Sequence, residues 1–208
     1  MSKKSSSQNL WLLNRKSDIY FSDAKKKGYR ARSAYKLLEI DKKFNIIEKA
    51  KNIVDLGAAP GSWSQVLIEK NKSNSKIKIF AIDLKSIKPL QNVTMVKNDI
   101  ADIIETNIYF EKNNFDLVLS DMAPQSTGHR FTDQVKASNL SELALSFAIK
   151  YLSINGSFVC KLLGGHHDNS LINQAKKKFN VVHLFKPKSS KVASKEIYLI
   201  SKGFNNLQ

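Results

Sequence analysis

The run Lys51-Asn-Ile-Val-Asp-Leu-Gly-Ala-Ala-Pro-Gly61 decides the fold. Its first half is a short apolar, β-branched strand that runs straight into a loop of small residues. The next stretch, Ser62 through Glu69, places Trp63, Val66 and Leu67 at helical spacing. Strand, glycine-bearing turn and helix, in that order, open a βαβ unit. Downstream the alternation continues. Strands are expected at 77–83, 93–97, 115–121, 157–163, 181–185 and 196–201, with helices near 102–110, 137–152 and 170–179. That pattern predicts an α/β fold with a mostly parallel sheet and helices on both faces. Only Lys186–Lys195 separates the last two strands, too little for a crossover helix, so they should pair antiparallel as a terminal hairpin.

Upstream of Lys51 the texture differs. Residues 1–9 are rich in Ser and Lys and read as disordered. A helix is expected over 17–27, with Ser17 as N-cap and Gly28 as its stop, and an amphipathic helix over 33–44. The chain thus divides into a basic helical N-terminal extension (1–50) and an α/β domain (51–208).

Charge follows the same division. The chain of 208 residues carries a formal net charge of +16, and its distribution is uneven. Residues 1–51 hold 14 basic and 5 acidic side chains, 52–175 hold 12 of each, and 176–202 hold 8 and 1. Two basic ends around a neutral middle indicate either a shared polyanionic partner or solvated Lys-rich surface. Three of only four arginines (Arg15, Arg30, Arg32) fall in the N-terminal segment. A guanidinium suits phosphate, which favours nucleic acid there. No apolar run approaches the ~18 residues of a membrane span. The start lacks a secretory apolar segment, and the single Cys160 excludes both a disulfide scaffold and a multi-cysteine zinc site. A cytoplasmic protein without membrane contact is expected.

In open α/β sheets ligands sit beyond the carboxyl ends of the strands. Here those ends carry Asp55 with the Gly57–Gly61 loop, Asp83, Asp99, Asp121 and Lys161. The loop is not the dinucleotide-binding G-x-G-x-x-G, because Ala59 replaces the second glycine and Pro60 intrudes. Asp83 follows at roughly the distance from which an acid takes ribose hydroxyls. Elsewhere, Cys160 reads as a small core residue and His166-His167 as solvated turn. Tyr29 and Tyr35, interleaved with Arg30, Arg32 and Lys36, are either base-stacking or core residues.

Three motifs carry a resemblance: Asp55-Leu-Gly-Ala-Ala-Pro-Gly-Ser-Trp-Ser-Gln65, Ser120-Asp-Met-Ala-Pro124, and Tyr29-Arg-Ala-Arg-Ser-Ala-Tyr-Lys-Leu-Leu-Glu-Ile40. Together they resemble the FtsJ/RrmJ (RlmE) family of S-adenosylmethionine-dependent ribosomal RNA 2′-O-methyltransferases, over about residues 11–203. The resemblance implies a Rossmann-like class I methyltransferase fold and a Lys-Asp-Lys-Glu tetrad at Lys36, Asp121, Lys161 and Glu196. It implies S-adenosyl-L-methionine contacts at Gly61, Trp63, Asp83, Asp99 and Asp121, and no metal. The implied reaction methylates the ribose 2′-oxygen of a uridine in large-subunit (23S) rRNA, with no obligate protein partner. Another RNA (tRNA or an mRNA cap) and a non-catalytic RNA-binding assembly factor are the alternatives. Two departures stand out. Gly61-Ser62-Trp63 replaces the family's usual Gly-Gly-Trp, with Ser62 a candidate N-cap, and Leu162-Leu-Gly-Gly165 replaces Phe-Gln-Gly after Lys161.

The chemistry fits those residue types. A sulfonium methyl donor is already activated, so the remaining problem is a ribose hydroxyl that is a poor nucleophile near neutral pH. By family analogy Lys161 is either the general base or the group that holds the alkoxide, and Asp121 orients it. Lys36 and Glu196 support and position. Asp83 suits the ribose hydroxyls and Asp99 the adenine amino group.

Overall fold

A computed structural model describes residues 18–72, 76–106, 109–110, 115–163 and 168–205. Two helices come first, α1 (Ile19–Lys26) and α2 (Ala34–Phe44). The chain then alternates through β1 (Asn52–Leu56), α3 (Ser62–Lys70), β2 (Lys78–Asp83), β3 (Val93–Lys97), α4 (Ile100–Thr106) and β4 (Phe115–Ser120). It closes with α5 (Arg130–Tyr151), β5 (Leu152–Leu162), α6 (Asp168–Lys178), β6 (Phe179–Phe185) and β7 (Ile197–Phe204). Ser17 lies outside the described residues; α1 is capped by Asp18, whose carboxylate accepts the Phe21 N–H.

The strands form one sheet in the order β3-β2-β1-β4-β5-β7-β6. All pairings are parallel except β5–β7 and β6–β7. The expected terminal hairpin is present, with β7 inserted beside β5 and β6 left at the edge. Strand order reverses between β1 and β4, so the loops that follow them part there and leave a crevice.

Strand alternation sorts the apolar side chains onto two faces. On one, Val54, Leu56, Val118, Phe158 and Cys160 pack against α4, α5 and α6. Phe110 meets Phe80, Phe115, Phe147 and Tyr151 there edge to face, at 5.0–6.2 Å between ring centres. On the other, Ile53, Leu117, Leu119, Val159, Tyr198 and Ile200 pack against α2 and α3. Ala34, Leu37, Ile40, Ile46, Ile47 and Ala50 are part of this second layer, so residues 34–50 are built into the core. Glu39 of α2 accepts the Lys188 and Ser189 N–H groups at 2.6 and 2.9 Å, which fastens the β6–β7 connection to the N-terminal helices.

Several element boundaries differ from the sequence reading. The helix expected over 102–110 runs Ile100–Thr106, started by Asp99, whose carboxylate accepts the Ala101 N–H. α5 begins seven residues earlier than its apolar spacing indicated. The Asp133 carboxylate in its first turn takes the Thr127 N–H and the Ser126 and Thr127 hydroxyls, at 2.7–2.9 Å. β5 starts at Leu152 directly out of that helix, and β7 continues to Phe204. Among the described residues no helix is long and apolar enough to cross a membrane.

Candidate active site

The crevice begins at the loop after β1. Gly57 and Ala58 donate to the Ile82 carbonyl at 2.9 and 3.1 Å, tying the loop to the end of β2. Asp83 accepts the Ala59 N–H at 2.9 Å on one carboxylate oxygen and the Lys85 N–H at 2.7 Å on the other. Gly57 and Gly61 both have positive φ, 70° and 105°. A side chain at Gly57 would run into Met122, and one at Gly61 would start 2.8 Å from Arg30 Nη1. Both positions therefore favour glycine, since a side chain would be strained at positive φ and would have to displace Met122 or Arg30. Beneath it lies Asp55, fully buried, accepting the Ser64 hydroxyl at 2.8 Å. Burial pushes this carboxyl up to about 7; the charges of Asp121 and Asp83 add to the rise, and Ser64 opposes it.

Arg30 holds the loop from outside. Its guanidinium donates to the carbonyls of Pro60 (2.9 Å), Lys88 (2.7 Å) and Pro89 (2.9 Å). Its backbone N–H donates to Gln65 Oε1 at 2.8 Å, and Gln65 Nε2 donates to the Gly28 carbonyl. The N-terminal segment is thus stapled to the loops after β1 and β2. Arg32 is also engaged by protein, pairing with Asp18 and donating to the Ser189 carbonyl. The phosphate role expected for these two arginines does not match where their guanidinium groups lie.

Across the crevice, Lys36, Asp121, Lys161 and Glu196 come together from α2, the end of β4, β5 and the start of β7. They form two cation–carboxylate pairs. Lys36 Nζ lies 2.8 Å from Glu196 Oε1, with both side chains largely buried. Lys161 Nζ donates to Asp121 twice, to its carbonyl at 2.8 Å and to Oδ1 at 2.9 Å. An ammonium has three protons, so one direction on Lys161 is left for a third group. Burial raises the Glu196 carboxyl, but Lys36 beside it, with Lys161 beyond, outweighs that and holds it below the usual range. A formally neutral cluster of this kind survives burial only while all partners are present.

Tyr198 links the pairs, and the sequence reading missed it. Its hydroxyl donates to Asp121 Oδ1 at 2.6 Å, and Lys36 Nζ sits 5.8 Å from its ring centre. Burial, then the charges of Asp121 and Glu196, push this phenol well above its ordinary range, so it stays a donor. In a strand, residues two apart share a face, and that alternation from Glu196 was the available signal.

The remaining expected site residues divide. Gly61 and Asp83 frame the loop, and Asp99 lies half-buried beyond β3. Trp63 is buried, with Nε1 donating to the Ser33 carbonyl at 2.8 Å and its ring 5.9 Å from that of Tyr198. What it presents to the loop is its backbone in the first turn of α3. Ser62 is not the N-cap: Gly61 holds that position, and the Ser62 hydroxyl pairs with that of Ser33 at 2.7 Å. Cys160 is core, as expected. Tyr29 and Tyr35 join Tyr20 in an aromatic group, and their hydroxyls donate to Glu69 and Asp23. His166 and His167 lie outside the described residues.

A loop with two positive-φ glycines at a topological switch point, facing two lysine–carboxylate pairs, is the arrangement of a Rossmann-like group-transfer enzyme. Residues 29–204 match the family model of FtsJ-like methyltransferases, and the chain belongs to that family. It is 45% identical over 206 residues to the ribosomal RNA large subunit methyltransferase E of Anaplasma phagocytophilum, covering 97% of this chain and 83% of that one. A solved ribosomal RNA methyltransferase from Plasmodium falciparum superposes with a TM-score of 0.73 at 36% identity, over 85% of this chain and 98% of the other. A Streptococcus mutans methyltransferase solved in complex with S-adenosylhomocysteine shares the fold at 12% identity, with a TM-score of 0.50, over 83% of this chain and 96% of that one.

Proposed function

We propose that this chain transfers a methyl group from S-adenosyl-L-methionine to the ribose 2′-oxygen of a uridine in large-subunit (23S) rRNA. The observation that carries the reading is the double hold of Asp121 on Lys161 Nζ beside the Lys36–Glu196 pair. The residues present fit the donor. Two positive-φ glycines leave room for a close approach to the backbone. First-turn N–H groups of α3, at Ser62 and Trp63, suit a carboxylate. Asp83 and Asp99 each keep lone pairs beyond the backbone N–H groups they already accept, suited to ribose hydroxyls and an adenine amino group.

When bound, S-adenosylmethionine supplies an electrophilic methyl group on a sulfonium. The chain's own task is then to prepare the 2′-hydroxyl. Lys161 takes the hydroxyl proton on Nζ or, as the ammonium, holds the developing alkoxide; Asp121 fixes its position in either case. Lys36 and Glu196 keep the cluster neutral and bound together. The lysines of the 1–50 extension and of 186–195 supply the RNA-facing charge, while Arg30 and Arg32 secure the fold beneath. The rRNA assignment also draws on the relatives, which are named for that substrate. Methyl transfer from labelled cofactor to purified large-subunit rRNA, followed by nuclease mapping, tests the reading. The label should appear in one 2′-O-methylated uridine; label in a base, or in no rRNA, would overturn it.

A further inference from the structure

Beyond the tetrad, a cavity of about 360 Å³ opens at the same end of the sheet. Its lining comes from four places: Ser126 and Gly128 after β4, the first turn of α5 at Arg130 and Asp133, Leu163 after β5, and Lys195 before β7. Leu163 is two residues past Lys161, and Lys195 directly precedes Glu196. The cavity is therefore continuous in sequence with two members of the tetrad, and its volume is in the range of small-ligand sites.

Its chemistry is that of a site for one nucleotide. Arg130 and Lys195 are exposed, and among the described residues neither has a carboxylate within ion-pair distance. Arg130 differs in this from Arg30 and Arg32, whose guanidinium groups are used within the protein. Phe131 is not part of the lining but directly follows Arg130 in the first turn of α5 and is 75% exposed, a large aromatic left in water. Asp133 is the one carboxylate in the lining; its oxygens are turned to Ser126 and Thr127, and Arg130 and Lys195 outnumber its charge two to one. Those same bonds hold its carboxyl down at about 2, so the 126–128 turn is kept in place at any working pH.

We propose that this cavity binds a nucleotide of the RNA strand next to the methylated ribose. Arg130 and Lys195 contact phosphate, Phe131 stacks on a base, and Leu163 provides the apolar floor. The proposal rests on the RNA reading above and adds the surface that places the strand.

The test is binding of a labelled, short single-stranded RNA and of large-subunit rRNA across a salt series. Arg130→Ala with Lys195→Ala should weaken both at least tenfold at about 0.1 M salt. The slope of log K on log salt should fall by about 1.4, as for two single-strand phosphate contacts. Phe131→Ala should weaken the short RNA about fivefold or more, and Phe131→Tyr should restore it. S-adenosylmethionine affinity, read by calorimetry, reports an intact fold. A control pair, Lys72→Ala with Lys78→Ala, removes the same charge from exposed positions at the opposite end of the sheet and should leave RNA affinity within twofold. Unchanged affinity and slope in the Arg130/Lys195 variant would overturn the site, as would an equal loss in the control pair. Failure of the wild-type chain to methylate rRNA would count against the functional reading alone, since the binding series reads the cavity without turnover.

Discussion

Arg30 Nη1 lies 2.8 Å from the point where a side chain on Gly61 would begin, so the two residues occupy one continuous space. The same guanidinium holds the Pro60 carbonyl one residue earlier. Gly61→Ala should therefore weaken S-adenosylmethionine binding by about 1–3 kcal/mol, through strain at φ 105° and displacement of Arg30. Arg30→Ala should weaken it by about 1–2 kcal/mol, since charge-assisted hydrogen bonds to the loop are lost at a partly exposed site. The double variant should lose less than the two together, because the steric part vanishes with the arginine. Calorimetric titration of all four proteins checks this, and strict additivity would separate the two residues.

Replacing Lys161 by arginine distinguishes its two possible tasks. A guanidinium keeps its proton, so Lys161→Arg should slow single-turnover methylation by about 10²–10⁴-fold if the lysine is a base. Substantial retained rate would assign charge stabilisation instead. Asp121→Ala should resemble Lys161→Ala, and a near-wild-type rate for Lys161→Ala would remove it from the reaction.

Tyr198→Phe keeps the ring beside Trp63 and under Lys36 but deletes the donor to Asp121 Oδ1. A single-turnover rate lowered about tenfold, with cofactor affinity unchanged, is expected. Stability should fall by about 1 kcal/mol, the scale of one hydrogen bond. An unaltered rate would reduce Tyr198 to packing.

Asp55 gives a pH dependence with a definite sign. Its folded carboxyl titrates near 7, against about 4 when unfolded. Between those values the native chain holds a proton that the unfolded chain has released. Its contribution to stability therefore falls as pH rises from about 4 to 7, then levels off. Asp55→Asn removes that loss, so its melting temperature should gain on the wild type between pH 5 and pH 8. The scale is a few kcal/mol at most, at about 1.4 kcal/mol per pKa unit. A constant difference across that range would place the titration elsewhere.

The parts of this molecule that side chains encode locally were readable. Ile53 to Leu56 with its glycine loop, and the alternation of strand and helix after it, lead to the observed sheet and its antiparallel end. The four tetrad residues were found through motif context and do converge. The work of Arg30 was not readable, because its acceptors are backbone carbonyls at 60, 88 and 89, which leave no mark in residue type. Counting scarce arginines therefore pointed to phosphate where the fold uses them as staples. The first turns of α5 were missed because residues 130–136 are mostly polar, none of them buried, and Phe131 and Val135 form no apolar stripe; the Asp133 bonds hold these turns instead. At 152, helix passes into strand without the loop that a boundary signal requires.

The place of β7 in the sheet has a consequence for how the chain is made. Glu196 and Tyr198 are synthesised after both strands that flank β7, yet they enter the interior, between β5 and an edge strand that precedes them in sequence. A nascent or truncated chain ending before Glu196 would already carry the glycine loop and the Lys161–Asp121 pair. Lys36 would lack its carboxylate, Asp121 would lack its tyrosine hydroxyl, and β5 would present a bare row of backbone donors and acceptors. Premature termination thus produces an adhesive fragment rather than a weakened enzyme. The order of translation itself delays assembly of the reactive centre until β7 has been made.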